Sequence, residues 1–382
     1  MKIALGLAAA VALLLVLALL PLPLLHPYLD FQVLYHADLG LLRGIPIYDH
    51  AGQVNMIAQL AKVPPAQVFV VPFPYPPWYA LGTVCLALLP IDRAARVWLG
   101  LNLIMLCLSL WLLTDGLPRM KRLALALAGI LFPPVLGSLS VGQYAFPVLL
   151  GAALLIRALQ RKNGLLLAVS AALLTFKPNL GGLILLMGMA YLWWRRQDYG
   201  RRAFPGLLIT GAGLFALGFL ASPAWPIDYV GSLASFPGTA ACPTCASISA
   251  VIAERAGGGF GMGLIAAAAL LGLLAAWLAK WRMLLAERPA WLIAAAVLIT
   301  QLVSPYVQNY DFLLLLVPLI VLAAEAHWMD WAWLALAYGV PFIALGLYGT
   351  AGNMSLVASA LILWLLLVRL CSRTGRQMAT PA

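Results

Sequence analysis

Long apolar runs, interrupted by short polar breaks, recur from Met1 to Arg369. A helix needs roughly 17 to 25 such residues to cross about 30 Å of hydrocarbon, and most of the runs approach that length. The pattern leaves no room for a separate soluble domain. We therefore expect residues 1–382 to form a single all-α, polytopic integral membrane domain.

The polar breaks divide the chain into about twelve expected spans with both termini cytoplasmic. The first runs from Lys2 to Leu25 and is expected to remain uncleaved, because its apolar run is long for a signal peptide and no small-x-small site follows it. The other spans are expected near 97–115, 122–137, 144–160, 164–176, 179–194, 203–221, 260–280, 290–304, 311–325, 330–348 and 355–370. Two large extracytoplasmic loops remain, 26–96 and 222–259.

The segment Trp78–Pro90 is apolar but short, and it follows a Pro-rich sequence. If it crossed the membrane, the basic clusters from Arg119 to Arg202 would lie outside. An interfacial helix within the first loop fits the charge pattern better than a crossing. Whether 78–90 crosses stays open.

Composition agrees with a membrane protein, since 64% of the residues are hydrophobic and 9% are charged, against about 25% charged in soluble domains. The net charge of +11 comes from short basic clusters between apolar runs, as in cytoplasmic loops under the positive-inside rule. We therefore expect a multi-pass protein of the cytoplasmic (inner) membrane, whose partner is the lipid bilayer and not nucleic acid.

Five cysteines are too few for a disulfide framework, but Cys242 and Cys245 lie close together in a polar loop and form a possible disulfide. The chain has no P-loop, no dinucleotide-binding glycine motif, no nucleophile elbow and no His-Glu-x-x-His motif. The four histidines show no metal-binding spacing. We expect no metal, no cofactor and no nucleotide-sugar donor.

Two carboxylates differ from the solvated loop charges. Asp30 lies among apolar and aromatic residues just after the first span, where desolvation would raise its pKa towards that of a general base. It could equally cap the next helix. Asp311 either caps a helix or belongs to a hydrogen-bonding cluster for sugar hydroxyls, Gln308, Asn309, Tyr310 and Asp311.

Lys177 lies between two apolar runs, and a lone charge at such depth suggests a functional site. Its expected partner is a lipid phosphate. Arg93 and Arg96 face the same side under the expected topology and are further phosphate candidates. Snorkelling towards headgroups is the alternative for all three. Gln143 lies at another extracytoplasmic turn.

These residues follow an ordered set of motifs along the chain. They are Asp30-Phe31 with Tyr35, Leu42-x-Gly44-x-Pro46-x-Tyr48-Asp49, Tyr75-Pro76-Pro77, Gly142-Gln143, Lys177-Pro178, and Ser304-Pro305 leading to Tyr310-Asp311. The set resembles glycosyltransferase family 87, which includes polyprenol-phosphate-mannose-dependent α-mannosyltransferases.

The resemblance implies a GT-C fold with amphipathic surface helices in the first loop, and an aspartate there, Asp30, as the general base. It also implies a polyprenyl-phosphate-sugar donor, a glycolipid or glycan acceptor, inversion at the anomeric carbon and no required metal. Lys177, Arg93 and Arg96 are then the expected phosphate ligands. Tyr35, Gln143 and the 308–311 cluster are the expected sugar or acceptor contacts.

Two points remain open. The resemblance favours mannose as the sugar, but better-known members carry a histidine in the Ser-Pro segment, where this chain has Gln308-Asn309-Tyr310-Asp311, so the identities of the sugar and of the particular acceptor stay open. A transporter, flippase or scaffold for lipid-linked sugars is the competing class. Such a protein would place its charged site near the bilayer midplane, whereas this chain collects its unusual residues on one face.

Overall fold

The computed structural model describes residues 29–199, 203–239, 245–257, 259–279, 281–346 and 355–379. Within these ranges the chain is helical and contains no β-strand. The expected first span lies outside the described residues.

The α-helices are labelled here in chain order. They are α1 Leu29–Leu42, α2 His50–Ala61, α3 Pro77–Thr83, α4 Ile91–Leu113, α5 Arg119–Leu131, α6 Pro133–Val141, α7 Ala145–Arg161, α8 Gly164–Leu174, α9 Pro178–Trp194, α10 Arg196–Tyr199, α11 Ala203–Gly218, α12 Trp225–Thr239, α13 Ile248–Arg255, α14 Gly259–Ala279, α15 Arg282–Glu287, α16 Pro289–Val303, α17 Leu316–Ala324, α18 Trp328–Gly346 and α19 Ser355–Ala379. Short 3₁₀ helices cover Pro65–Gln67, Val84–Leu88 and Asn309–Leu315.

Helix α16 is the centre of the main bundle. Its residues are buried from Trp291 to Val303, because the helix is apolar on all faces and neighbouring helices cover each of them. Buried residues of α7, α9 and α17 join it in one hydrophobic cluster. A second, smaller cluster joins α1, α3 and the start of α4 around Phe31, Tyr79 and Trp98, and this is the core of the first loop.

The expected spans match observed helices closely. The expected number of membrane crossings, about twelve, is not confirmed. Among the described residues, one helix, Ile91–Leu113, is long and apolar enough to cross a bilayer by itself. The pair α5 and α6 could make a second span, although it bends by 48° where Pro133 and Pro134 interrupt the helix. Several other apolar helices have 10–17 residues, which falls below the roughly 20 residues of a typical span.

The segment 78–90 folds as helix α3 followed by the 3₁₀ helix Val84–Leu88. Pro76 and Pro77 start α3, since proline suits the first positions of a helix. Leu88 is largely exposed, whereas Tyr79 and Ala80 are fully buried in the first-loop cluster. The interfacial position of this segment stays a prediction.

Candidate functional site

Asp30 lies in the first turn of α1, at the edge of the first-loop core. The next residue, Phe31, is fully buried and its ring lies 6.1 Å from that of Trp98. This aromatic contact holds the start of α1 against α4, so the Asp30 carboxylate is fixed relative to the bundle.

The turn Gly142-Gln143 brings a side-chain amide to Asp30. Gly142 ends α6 with φ of 70°, and a Cβ there would lie 2.8 Å from the Cβ of Phe31, so both backbone conformation and space favour glycine. Trp98 Nε1 donates to the Gly142 carbonyl at 2.9 Å. Gln143 Nε2 then donates to Asp30 Oδ2 at 2.5 Å.

Lys177 reaches the same place from another helix. It precedes Pro178, the first residue of α9, and its side chain is 1% exposed. The ammonium donates to Gln143 Oε1 at 3.1 Å and to Asp311 Oδ1 at 2.5 Å. It also lies 5.4 Å from the ring centroid of Tyr310. Gln143 therefore bridges Lys177 and Asp30.

Asp311 caps a helix, as one of its two expected roles requires, and it also pairs with Lys177, while its contact with sugar hydroxyls stays a prediction. Its Oδ2 accepts from the backbone N–H of Gln308 at 3.1 Å, and together they form a capping box at the 3₁₀ helix Asn309–Leu315. Its Oδ1 pairs with Lys177. Two further bonds fix this segment: Ser138 Oγ donates to the Tyr310 carbonyl at 2.8 Å, and Asn179 Nδ2 donates to the Tyr306 carbonyl at 2.8 Å.

A cavity of about 450 Å³ opens next to this network. Its polar lining residues come from several elements, and its apolar lining residues come from the non-helical segment 68–74 and from helices α1 and α2. The polar residues are Asp30, His50, Tyr75, Gln143, Tyr144, Tyr306 and Tyr310, and the apolar residues are Val33, Val54, Val68, Phe69, Val70, Val71, Pro72 and Pro74. The volume suits a small ligand, and no Lys or Arg appears among the described residues that line it.

The Asp30 carboxyl has a raised pKa. Burial is the largest cause, because desolvation disfavours the charged form. The charge of Lys177 and the hydrogen bond from Gln143 lower the pKa and partly oppose the burial, while the charge of Asp311 raises it. The Lys177 ammonium pairs directly with Asp311 and reaches Asp30 only through Gln143, so Asp30 has no direct ion-pair partner among the described residues.

The remaining expected ligands lie elsewhere. Tyr35 donates its hydroxyl to the Leu89 carbonyl at 2.8 Å and so holds α1 to the segment before α4. Arg93 is exposed and Arg96 half-buried on the first turns of α4, and neither lines the cavity. Phosphate binding by these arginines and by Lys177 stays a prediction.

Gln308 and Asn309 are close to the network but do not line the cavity, whereas Tyr310 does. Cys245 is buried, with its sulfur 3.9 Å from Gln308 Nε2. Cys242 lies outside the described residues, so the pairing with Cys245 stays a prediction. No cluster of three His, Cys, Asp or Glu residues suited to a metal occurs in the described part of the chain.

Asp38 was missed by the sequence reasoning. It lies on α1, is fully buried, and accepts a hydrogen bond from Thr83 Oγ1 at 3.3 Å. Its Oδ2 has no hydrogen-bond partner among the described residues, and burial raises its pKa to about 8. Its position eight residues after Asp30, inside an apolar run, is the signal that could have revealed it.

Comparison with known proteins decides the family. The model of glycosyltransferase family 87 matches residues 73–305, more than half of the chain. This chain belongs to glycosyltransferase family 87. The family predicted from the ordered motifs is therefore confirmed, and the matched range includes Gln143 and Lys177. No curated protein and no solved structure matches the chain.

Membership in the family makes the chain a glycosyltransferase. A glycosyltransferase uses a sugar donor and an acceptor, and the helical architecture is consistent with a membrane-bound enzyme. Within family 87, Asp30, Gln143, Lys177, Tyr310 and Asp311 form the candidate active site, since the structure joins them through direct contacts.

Proposed function

We propose that this family 87 enzyme transfers a sugar, assigned as mannose, from a polyprenyl-phosphate-sugar to an extracytoplasmic glycolipid or glycan, with inversion at the anomeric carbon. The observation that carries the proposal is a half-buried carboxylate, Asp30, which lines a cavity of about 450 Å³ and has a raised pKa. A carboxylate with a raised pKa is suited to remove a proton from a hydroxyl group.

In the proposed reaction, Asp30 takes the proton of the acceptor hydroxyl as its oxygen attacks the anomeric carbon. The bond between that carbon and the donor phosphate oxygen breaks, and polyprenyl phosphate leaves with the electron pair. One displacement inverts the anomeric carbon and requires no covalent enzyme intermediate. The proton remains on Asp30 until the products leave.

Lys177 supports this reaction by positioning Asp30. Its ammonium holds Gln143, and Gln143 donates to the carboxylate. The bond to Asp311 keeps Lys177 buried, so direct contact with the donor phosphate would require that ion pair to exchange. No Lys or Arg lines the cavity within the described residues, so Arg93 and Arg96 on α4 remain the candidates for the phosphate.

The proposed orientation of the protein in the membrane rests on the residues at the two ends of helices α7, α9 and α16. Helices α7 and α9 follow Gln143 and Lys177 and end beside Arg161 and Arg195. Helix α16 runs in the opposite sense, from Arg288 to Ser304. A helix of α7's 17 residues is about 25 Å long. The candidate site and the basic loops therefore lie at opposite ends of the bundle, as a multi-pass protein with an extracytoplasmic site requires.

The decisive experiment measures mannose transfer from synthetic polyprenyl-phosphate-mannose to a panel of glycolipids by the purified full-length protein. Asp30→Asn should lower the turnover about 10² to 10⁴-fold, the usual contribution of a general base. Asp92→Asn is the matched control, since Asp92 is exposed in the first turn of α4. Full transfer by a correctly folded Asp30→Asn variant would refute the base assignment.

A further inference from the structure

Two kinds of cation at the basic end of the bundle differ in their contacts. The first kind is paired with carboxylates. These pairs are Arg157 and Arg161 with Asp115, Arg195 with Asp198, Arg288 with Glu325, and Arg369 with Asp330. Their charge is largely compensated within the protein, so they leave little positive charge for an external partner.

The second kind lies against aromatic rings and has no carboxylate within ion-pair distance among the described residues. The pairs, measured from the charged group to the ring centroid, are Arg122 with Trp111 at 5.9 Å, Arg196 with Trp193 at 5.0 Å, Lys162 with Tyr199 at 5.9 Å, and Lys121 with Trp331 at 5.8 Å. Cation–π contact leaves donors at the edge of a guanidinium available, although Arg122 Nη2 also donates to the Trp111 carbonyl at 3.4 Å. These cations can therefore still bind an anion.

The tryptophans in these pairs face outwards. Trp111 is 53% exposed and Trp193 is 60% exposed, and Trp331 is exposed as well. Other strongly exposed tryptophans flank the same loops, namely Trp194, Trp328 and Trp333. At the opposite end, Trp98 and Trp225 are buried. Exposed tryptophan is therefore concentrated where the basic loops are.

We propose that this end carries a binding surface for anionic phospholipid headgroups, built on the pairs Arg122–Trp111 and Arg196–Trp193. Each indole lies at the boundary between headgroups and acyl chains, where amphipathic rings are favoured. The guanidinium beside it donates to a lipid phosphate. Uncompensated charge selects anionic over zwitterionic headgroups, since basic residues near an anionic surface are attracted to it.

The occupant is a lipid and not a free phosphate because each cation is joined to an exposed apolar ring. A soluble anion would gain nothing from the indole, whereas a phospholipid contacts both groups. The proposal requires insertion in a membrane but not sugar transfer, so its failure would not affect the assignment of Asp30.

The test places the full-length protein in nanodiscs that contain equal amounts of phosphatidylglycerol and phosphatidylcholine. After mild detergent extraction, mass spectrometry measures the ratio of the two lipids that remain bound. The wild type should retain an excess of phosphatidylglycerol. In the R122Q/R196Q variant, the ratio of bound phosphatidylglycerol to phosphatidylcholine should fall at least about fivefold, because the loss of one basic residue near an anionic surface has an effect of that size.

Two further variants serve as controls. R43Q/R255Q removes the same charge from exposed arginines outside the basic end, and its enrichment should equal that of the wild type. R122K/R196K keeps the charge and should retain most of the enrichment, which separates charge loss from misfolding. Equal enrichment in R122Q/R196Q and the wild type, or equal loss in R43Q/R255Q, would overturn the proposal.

Discussion

At the scale of single residues, the two carboxylates of α1 differ in their surroundings: Asp38 is fully buried and Asp30 is half-buried. Asp30 contacts Gln143 and lies within the field of Lys177. Asp38 accepts one long hydrogen bond from Thr83 and has no cation among the causes of its pKa shift. Asp30 can therefore exist as a carboxylate beside the cavity, while ionisation of Asp38 would leave a buried charge uncompensated.

This difference predicts a pH-dependent stability. Burial raises the pKa of Asp38 in the folded state to about 8 from its ordinary value of 3.8, so between these pH values the folded state holds a proton that the unfolded state has lost. The Asp38 contribution to stability is therefore lost as pH rises from about 4 to about 8. Thermal unfolding in nanodiscs at pH 5 and pH 8 measures this loss.

Asp38→Asn should reduce the difference between the two pH values, because an amide does not ionise. Asp92→Asn changes an exposed carboxylate and should leave the difference as in the wild type. A pH dependence in Asp38→Asn as large as that of the wild type would exclude Asp38 as its source.

Sequence reasoning identified the polar residues of the candidate site but not the residues that each of them contacts. Asp30, Gln143, Lys177 and Asp311 each attracted attention as polar groups in apolar surroundings. Their mutual contacts could not be predicted, because 134 positions separate Lys177 from Asp311 and the chain's packing alone brings them together. Lys177 was assigned to a lipid phosphate, whereas its nearest anion is Asp311.

At the scale of elements, the Lys177–Asp311 pair joins the start of α9 to the 3₁₀ helix Asn309–Leu315. Both side chains are buried. Removing one partner of a buried pair typically costs about 3 to 5 kcal/mol, since the other charge is left uncompensated. Lys177→Met should therefore lower the free energy of unfolding by that order, and the double variant K177M/D311L should recover much of the loss.

The exposed pair Arg195–Asp198 provides the matched control, since its side chains are 42% and 38% exposed. Arg195→Met should cost no more than about 1 kcal/mol, as for surface pairs in general. Chemical denaturation of the three variants gives the comparison. A loss in Lys177→Met no larger than that in Arg195→Met would show that the buried pair does not hold these elements together.

The turn between α6 and α7 gives a second prediction for elements. Gly142 and Gly116 both have positive φ, at 70° and 84°, but a Cβ meets Phe31 only at Gly142 and meets nothing within 4 Å at Gly116. Both alanine variants should carry a backbone strain of about 1 kcal/mol. Gly142→Ala should in addition displace Gln143 from Asp30 and reduce transfer by at least about tenfold, a disturbance of about 1.4 kcal/mol.

Transfer assays with both variants, normalised to folded protein, separate strain from displacement. Similar activities in Gly142→Ala and Gly116→Ala would mean that the close approach to Phe31 does not position the site.

Helix positions were more predictable than contacts between residues, because helix boundaries depend on nearby residues in the sequence. Prolines open α3, α6, α9 and α16 at their first residues, and the apolar runs between polar breaks fill the helices. The break at Phe132–Pro133 was the exception: one span was expected over 122–137, and two helices bent by 48° occupy the region. Consecutive prolines there were available as a signal.

At the scale of the whole molecule, the two ends of the bundle differ in chemistry. The basic loops, their carboxylate partners and most exposed tryptophans lie at one end. The Asp30 network and the tyrosine-lined cavity lie at the other. Hydropathy predicted this polarity, but it could not determine which helices cross fully, because helices of 10–17 residues can cross only a thin or distorted bilayer, or pack as re-entrant segments.

The difference between the two ends of the bundle gives the last prediction, that these ends face opposite sides of the membrane. The free cysteines Cys85, Cys107 and Cys371 would first be replaced by serine. Single cysteines would then be introduced by Ala61→Cys, at the end of α2, and Gln197→Cys, in α10, since both positions are exposed. In intact cells whose inner membrane is accessible, a membrane-impermeant maleimide should label position 61 and spare position 197.

After the membrane is opened, both positions should be labelled, which controls for the reactivity of each thiol. The expected pattern follows from the positive-inside rule, because Gln197 lies among Arg195, Arg196 and the neighbouring basic residues. Labelling of both positions in intact cells would mean that α7 and α9 do not carry the chain across the bilayer. Asp30 would then have access to the same compartment as the basic loops, and the donor would have to be presented from that side.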